Sequence, residues 1–209
     1  MRIGVVVDGV AEYESLGQLF PRLSAASGHS YLRVVKADIQ PKAPLPTIAR
    51  ACKDAVVQLE ARGANLVLIL FDREDRPECP GEISEGVARR LATLVHCRVS
   101  VVVKDRAYEN WLVADLGAFS GHRTRYVVAP RHHRQLEPNK ADQADALQII
   151  KTIVQGDYDK VDDSKAIMEH AAPEAISRHS RSFRKFLREA RHPWYAALWS
   201  RTDPHTRAA

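Results

Sequence analysis

The sequence predicts an α/β fold: a mainly parallel, Rossmann-like sheet flanked by helices and followed by a helical extension. Short runs of apolar, largely β-branched residues alternate with longer segments whose apolar residues recur at helical spacing. Continuous apolarity is typical of parallel strands covered on both faces, and the alternation is typical of strand-helix-strand units. Beyond residue 156 helical patterns remain without strand-like runs. We therefore expect an α/β domain over residues 1–156 and a basic helical extension packed on it over residues 157–209.

Four apolar runs are predicted strands because each is too short for a helix and is bounded by polar or turn-forming residues. They occupy residues 3–7, 31–35, 66–71 and 99–103. The run at residues 66–71 is the most apolar. The first, third and fourth runs lead directly into charged residues, so we expect a polar rim where these strands end.

The predicted helices lie between and after these strands. The first covers residues 12–27 and ends at Gly28. The most regular one has an apolar stripe over residues 48–59, with Thr47 as its N-cap and Gly63 as its terminator. Further helices are predicted over residues 83–95, 108–115, 144–154 and, beginning with a proline, 173–190.

Composition indicates an ordinary globular protein. With 45% hydrophobic and 27% charged residues, the chain is not collagen-like, of low complexity or wholly disordered. The apolar runs are far shorter than the ~18 residues of a membrane span, and the first residues lack the features of a signal peptide. We therefore expect a cytoplasmic protein with no membrane association. The three cysteines have no CxxC spacing, which argues against a disulfide framework or a zinc ribbon.

The excess positive charge lies in the last quarter of the chain. Residues 164–209 carry nine basic and four acidic residues, a net charge of +5 that equals the net charge of the whole chain. The remaining residues therefore balance to zero. This asymmetry indicates an acidic partner, such as nucleic acid, for the C-terminal segment. The sequence leaves homo-oligomer formation open.

Carboxylates follow three of the predicted strands at the point where each strand ends. The carboxyl ends of parallel strands share one edge of a sheet, so these side chains converge if the strands are neighbours. Like charges a few Å apart raise each other's pKa, and a divalent cation resolves that conflict. Oxygen ligands without a Cys/His cluster favour Mg²⁺ or Mn²⁺ over Zn²⁺. The acids are Asp8, Glu12, Asp72, Glu74, Asp75, Asp105 and Glu109.

The same acids have a structural interpretation. Asp and Glu that follow strands often cap the next helix, form turns or face the helix dipole. Each acid taken alone is explained in this way. The metal hypothesis therefore depends on the combined pattern, and above all on Asp72, Glu74 and Asp75 directly after the most apolar strand.

Three segments resemble, in order, the acidic motifs of Toprim-type proteins: VVVDGVAEYESL, LILFDREDRPECP and VVVKDRAYENWLVAD. The chain more closely resembles the domain-of-unknown-function family 4276, bacterial Toprim-like proteins often encoded near ATPases of defence systems. The similarity covers most of the chain. It implies a Toprim-like fold, Mg²⁺-dependent phosphodiester chemistry on nucleic acid, and an ATPase partner protein in antiphage defence.

By position, the resemblance assigns the first acid of the Toprim motif to Asp8 and a second acid to Glu12. It assigns the D-x-D pair to Asp72 and Glu74, and a further acid after the third strand to Glu109. Two positions depart from the usual pattern. Asp8 stands where glutamate is usual, and Glu74 stands where aspartate is usual.

The predicted site combines these acids with basic residues. Lys104 and Arg106 flank the last acidic loop, where they can hold a scissile phosphate or neutralise developing charge. Surface ion pairs with Asp105 and Glu109 are the alternative for these two side chains. The expected catalytic residues are Asp8, Glu12, Lys104 and Glu109. The expected metal ligands are Asp8, Asp72, Glu74 and Asp75.

Two further basic segments are candidates for contact with nucleic acid. One is a compact basic loop over residues 131–134, and the other is the predicted C-terminal helix, whose basic face lies beside an apolar stripe. A solvated loop and a solvated helix face are the alternatives. The expected nucleic-acid-binding residues are Arg106, Arg131, Arg134, Arg181, Arg184, Lys185 and Arg188.

The leading hypothesis is a Toprim-like nuclease that uses Mg²⁺ or Mn²⁺ and works with an ATPase partner. The chain contains no GxxxxGK[ST] motif, so ATP hydrolysis would come from another chain. The alternative is a non-catalytic Toprim-like subunit that contacts a partner protein or DNA. Hydrolysis of a small phosphate compound uses the same metal chemistry and stays open.

Overall fold

A parallel sheet forms the centre of the computed structural model, which describes residues 1–136 and 139–195. Its strands are ordered β2-β1-β4-β5. The short strand β3 also pairs with β1, beyond the residues of β1 that pair with β2. All pairings between these strands are parallel. The strands are β1 (Arg2–Val7), β2 (Ser30–Tyr31), β3 (Val35–Lys36), β4 (Leu66–Asp72) and β5 (Arg98–Lys104).

The helices among the described residues cover both faces of the sheet. They are α1 (Val10–Ser15), α2 (Phe20–Ser27), α3 (Leu45–Ala61), α4 (Pro80–Leu91), α5 (Glu109–Val113), α6 (Pro130–Gln135), α7 (Ala146–Ile153), α8 (Asp162–His170), α9 (Pro173–His179) and α10 (Arg181–Glu189). Helices α3 and α4 pack on one face, and the helices that precede β2 or follow β5 pack on the other. In the part of the chain that is described, no helix combines the length and apolarity needed to cross a bilayer.

Strands β1 and β4 are buried on both faces, as their apolar composition predicts, whereas the strand predicted over residues 31–35 forms only the short edge strands β2 and β3. Along β4, Leu68 and Leu70 belong to one hydrophobic core while Val67 and Ile69 belong to the other. This alternation follows from the two-residue period of a strand. The prediction of a mainly parallel sheet flanked by helices is confirmed.

The C-terminal helices share a core with the sheet. The ring of Trp111 lies 4.9 Å from Phe183 in an edge-on contact and 5.8 Å from Phe186. Its indole N–H donates to Ser182 Oγ at 2.7 Å. Residues 157–195 thus pack on the α/β layers as one continuous core. The remainder of the predicted extension, residues 196–209, lies outside the described residues.

Several element boundaries differ from the sequence prediction. The helix predicted over residues 12–27 is divided into α1, a 3₁₀ turn over Leu16–Leu19, and α2. Pro21 lies in the first turn of α2, where its missing N–H is tolerated, and inside one longer helix it would have interrupted the hydrogen bonds. Helix α3 begins at Leu45 and not after Thr47, so the predicted cap was wrong.

Two further predictions about helices were wrong. The basic segment over residues 131–134, predicted as a loop, forms helix α6 with Pro130 in its first turn. The helix predicted over residues 173–190 is divided into α9 and α10 at Ser180. This residue has an extended backbone, and its Oγ accepts a hydrogen bond from the Phe183 N–H at 3.0 Å, so it is an N-cap that starts a new helix.

Replacing Phe183 by alanine removes a ring from the shared core. We expect the free energy of unfolding to fall by about 3–5 kcal/mol, measured by urea denaturation. Unfolding should stay a single transition because the sheet and the C-terminal helices have one core. Arg178→Ala, at an exposed position of α9, is the control and should change stability by less than about 0.5 kcal/mol. A separate early transition of the C-terminal helices would contradict the shared core.

Candidate metal centre

Three carboxylates meet where β1 and β4 end. Asp8 follows β1, Glu12 lies in the first turn of α1, and Asp72 is the last residue of β4. One ligand oxygen from each lies within 4.8 Å of the others. The Asp72 N–H donates to Asp8 Oδ2 at 3.0 Å. The neighbouring parallel strands therefore bring Asp8 and Asp72 together, as the sequence predicts, and the three residues can hold a metal ion.

Gly9 allows the Glu12 carboxylate to fold back towards the start of its own helix. A Cβ atom added at Gly9 would lie only 2.1 Å from Glu12 Oε2. A side chain at this position would therefore have to displace the carboxylate. The absence of a side chain at the start of α1 is what leaves room for Glu12 beside Asp8.

Lys104 provides a buried ammonium in the middle of these acids. It is the last residue of β5 and is fully buried. Its Nζ donates to Glu12 Oε1, lies 3.2 Å from Asp8 Oδ1 and lies 2.9 Å from Asp72 Oδ1. The sequence predicted that Lys104 would meet a phosphate or form a surface ion pair. The surface ion pair is wrong, because the ammonium is enclosed and contacts three carboxylates of the cluster.

The charges of this cluster are not balanced by Lys104 alone. When all three carboxylates are ionised they face one ammonium, which leaves two negative charges. Burial raises the pKa of Asp72 to about 7; Lys104 opposes this shift, whereas the charges of Asp8 and Glu12 add to it. Burial would lower the pKa of Lys104, but the three carboxylates outweigh it and hold that pKa well above its usual range. The ammonium therefore stays protonated.

The donor set fits a hard divalent cation. All three candidate ligands are carboxylates, which suit Mg²⁺ and Mn²⁺. Glu12 is 2% exposed, and its Oε2 has no hydrogen-bond partner among the described residues. A buried polar atom without a partner carries a free-energy cost, which a metal ligand bond would remove. Two added positive charges would also balance the cluster. Lys104 would have to yield part of its present position.

Glu74 and Asp75, predicted as metal ligands, lie outside this group. Asp75 pairs with Lys42 at 2.7 Å, and Glu74 pairs with the same ammonium at 3.7 Å. The backbone conformation after β4 explains why these two side chains lie outside the cluster. Glu74 has a left-handed conformation with φ of 56°, and its N–H donates to the Arg106 carbonyl at 2.9 Å. This turn places both side chains on the exposed rim, and Glu12 takes the third position in the cluster.

Glu109 lies beside the cluster without joining it. It is a buried residue in the first turn of α5, and its Oε1 lies 3.1 Å from Lys160 Nζ. Both side chains line a cleft of about 920 Å³ that also contains Asp72. Lys160 was not assigned a role from the sequence. Its loop begins the segment from residue 158 that resembles the C-terminal region of the family, but the contact with Glu109, fifty-one positions earlier, is what reveals its place.

Two of the predicted nucleic-acid-binding residues line the same cleft. Arg106 donates to the Gln143 carbonyl at 2.9 Å, and Arg181 pairs with Asp105 at 3.7 Å. Both guanidinium groups thus have partners within the chain.

The other predicted nucleic-acid-binding residues lie elsewhere. Arg131 and Arg134 are exposed on α6. On α10, Arg184 donates to the Ser177 carbonyl and Lys185 donates to Ser84 Oγ, each at 2.7 Å. Arg188 pairs with its neighbour Glu189. Part of the basic face of α10 is therefore occupied by contacts within the protein and is not a free, solvated surface.

The raised pKa of Asp72 predicts a pH dependence of stability in the absence of metal. An unfolded aspartate has a pKa of about 3.9, whereas that of Asp72 is raised to about 7. Between these values the folded state binds the extra proton, so the free energy of unfolding falls as the pH rises through this window. Urea denaturation in EDTA should show the fall in the wild type and a smaller fall in Asp72→Asn. Identical pH profiles for the two proteins would contradict the assignment.

A protein-family model matches the chain over residues 9–190, which is most of its length. The model describes a Domain of unknown function (DUF4276). No curated protein and no solved structure matches the chain. The match begins one residue after Asp8 and covers Glu12, Asp72 and Lys104 as well as helices α8, α9 and α10. The chain belongs to the DUF4276 family.

Proposed function

We propose that the chain is a Mg²⁺- or Mn²⁺-dependent phosphodiesterase that cleaves nucleic acid, on a Toprim-like variant of the α/β fold. The observation that carries the proposal is the cluster of Asp8, Glu12 and Asp72, with its uncompensated charge and the unpaired Glu12 Oε2. A deep carboxylate cluster beside a cleft is a common arrangement for metal-assisted phosphoryl chemistry. The resemblance of the strand-end motifs to Toprim proteins supports the same reaction class.

The residues of the site have different roles in this proposal. Asp8, Glu12 and Asp72 would hold the ion, which when bound activates water and stabilises charge on the phosphate. Before the ion binds, Lys104 keeps the carboxylates together by neutralising part of their repulsion. Glu109 is a buried carboxylate that lines the cleft, where it can accept a proton from an attacking water.

The proposal includes the setting that the family resemblance implies. The protein would act in the cytoplasm, beside an ATPase on another chain, in defence against phage. The absence of a GxxxxGK[ST] motif agrees with this division, because the phosphate-cradling loop would then belong to the partner.

A non-catalytic role is the second candidate, and one observation favours it. Lys104 is fully buried and already contacts all three acids. If the ammonium never yields its position, the cluster is a structural ion network. The chain would then act by binding a partner protein or DNA.

A divalent metal should stabilise the folded protein. At a free Mn²⁺ concentration about 100 times the Kd, binding adds about 2.7 kcal/mol, which corresponds to a rise in Tm of roughly 5–10 °C. Asp72→Ala and Asp72→Asn should both abolish this rise, because each removes a charged ligand. Thermal melts with Mn²⁺ and with EDTA measure the difference.

Asp75→Ala is the matched control for this experiment. Asp75 lies three residues further along the chain but pairs with Lys42 outside the cluster. Its removal should leave the metal-induced rise in Tm intact. A wild-type melting curve that excess metal does not change would contradict the metal centre, and a loss of the response in Asp75→Ala would contradict the ligand set.

Nuclease activity is expected in the presence of Mn²⁺. We expect the wild type to cleave labelled DNA or RNA, and Asp72→Asn to lower the rate by roughly 10²–10³-fold because it removes a charged group from the reacting centre. Gel assays on single- and double-stranded DNA and RNA measure cleavage. Equal cleavage by both proteins would indicate a contaminating nuclease. No cleavage by a wild type whose Tm responds to metal would favour the non-catalytic candidate.

A further inference from the structure

Lys160 places an exposed ammonium at the candidate metal centre. It lies in the loop between α7 and α8, and its side chain is 55% exposed. Its Nζ lies 3.1 Å from Glu109 Oε1, and both side chains line the cleft that also contains Asp72. An ammonium has three donors. The contact with Glu109 uses one of them, and the exposure of the side chain leaves the others accessible to an anionic ligand.

The other cations that line the cleft or contact the cluster have partners of their own. Arg106 donates to the Gln143 carbonyl at 2.9 Å, and Arg181 pairs with Asp105 at 3.7 Å. Lys104 is fully buried and surrounded by three carboxylates. Arg73 pairs with Asp105 at 2.9 Å, and Arg76 donates to the Pro41 and Ala43 carbonyls and pairs with Glu78. Lys160 therefore has the charge, exposure and position that the sequence had assigned to Lys104.

The loop that carries Lys160 is held by a network of hydrogen bonds. Asp159 Oδ1 accepts from the N–H groups of Val161 and Asp162, at 2.9 and 2.8 Å. Asp163 Oδ2 accepts from the Asp159 N–H at 2.8 Å, and Asp163 is itself bound by Arg125. These contacts fix the backbone on both sides of Lys160. A fixed backbone lowers the entropy lost when a charged side chain binds a ligand.

The surroundings also keep Lys160 charged. Burial lowers its pKa, but the negative charges of Glu109, Glu12 and Asp72 outweigh burial, and the net shift is upward. Glu109 thus acts as a positioning residue for Lys160. The ammonium remains available as a cation throughout the neutral pH range.

We propose that Lys160 binds a phosphate of one nucleic-acid strand that enters this cleft. This inference rests on the proposed function and names its substrate class. The acids are recessed, with the Asp72 side chain only 15% exposed, so the reacting phosphate must come inward. A cleft of about 920 Å³ matches sites for compact ligands of roughly 300–1,000 Å³. A single strand can be splayed to enter such a site, whereas a duplex presents its phosphates on a broad, rigid cylinder.

The test compares Lys160→Met with Lys165→Met, a control at an exposed lysine of α8. Fluorescence anisotropy measures binding of a labelled single strand of about ten nucleotides, in EDTA and in Ca²⁺, over a range of salt concentrations. Losing one charge-assisted hydrogen bond should weaken binding about 10–100-fold and lower the salt slope by about 1. Lys165→Met should match the wild type, and Lys160→Arg should keep the wild-type slope.

Three results would overturn the inference. They are no binding of the single strand by the wild type, equal affinity and slope for Lys160→Met and Lys165→Met, and equally tight binding of a duplex of the same sequence. Thermal melts of each variant establish that it is folded. Failure of the proposed function is distinguishable, because absent cleavage with an intact binding defect in Lys160→Met would count against phosphodiesterase activity and not against the phosphate contact.

Discussion

The buried contact of Lys104 with Asp8, Glu12 and Asp72 is the constraint on which the rest of the site depends. Removing charged groups from water costs several kcal/mol per ion, and ion pairing offsets that cost only when the geometry is good. Here three acids share a single ammonium, so ion pairing offsets the cost of desolvation only in part. Such a cluster contributes little to stability by itself. Its unbalanced charge leaves a site that can hold a further cation.

The fold supplies the rigidity that this cluster needs. Strands β1, β4 and β5 are neighbours, so Asp8, Asp72 and Lys104 stand side by side at one edge of the sheet. The apolar faces of these strands are packed by helices on both sides, which fixes their register. The segment that follows α7 then adds Lys160 to the lining of the same cleft. The site therefore combines rigid strand ends with a cation from the C-terminal part of the chain.

The sequence was sufficient to predict features that depend on local pattern or on sheet topology. The buried strands, the parallel sheet and the approach of Asp8 to Asp72 follow from apolar runs that end in acids. Features set by the path of the backbone after a strand were not predictable. Glu74 lies two residues beyond Asp72, yet a left-handed turn places it on the rim. Residues 131–134 were predicted as a loop, although the preceding Pro130 is suited to the first turn of a helix.

The roles of the two lysines show a similar limit. Lys104 was identified from its position at a strand end, but its burial depends on pairing with Asp72 across the sheet, which no local pattern reveals. Lys160 depends on a contact distant in sequence. A crystal structure of the protein soaked with Mn²⁺, in which anomalous scattering locates the ion, tests the metal centre most directly. We expect an ion bound by Asp8, Glu12 and Asp72, with Lys104 Nζ displaced from among them. Two results would contradict this metal centre: a site without an ion in which Lys104 keeps its position, or an ion bound by Glu74 and Asp75 instead.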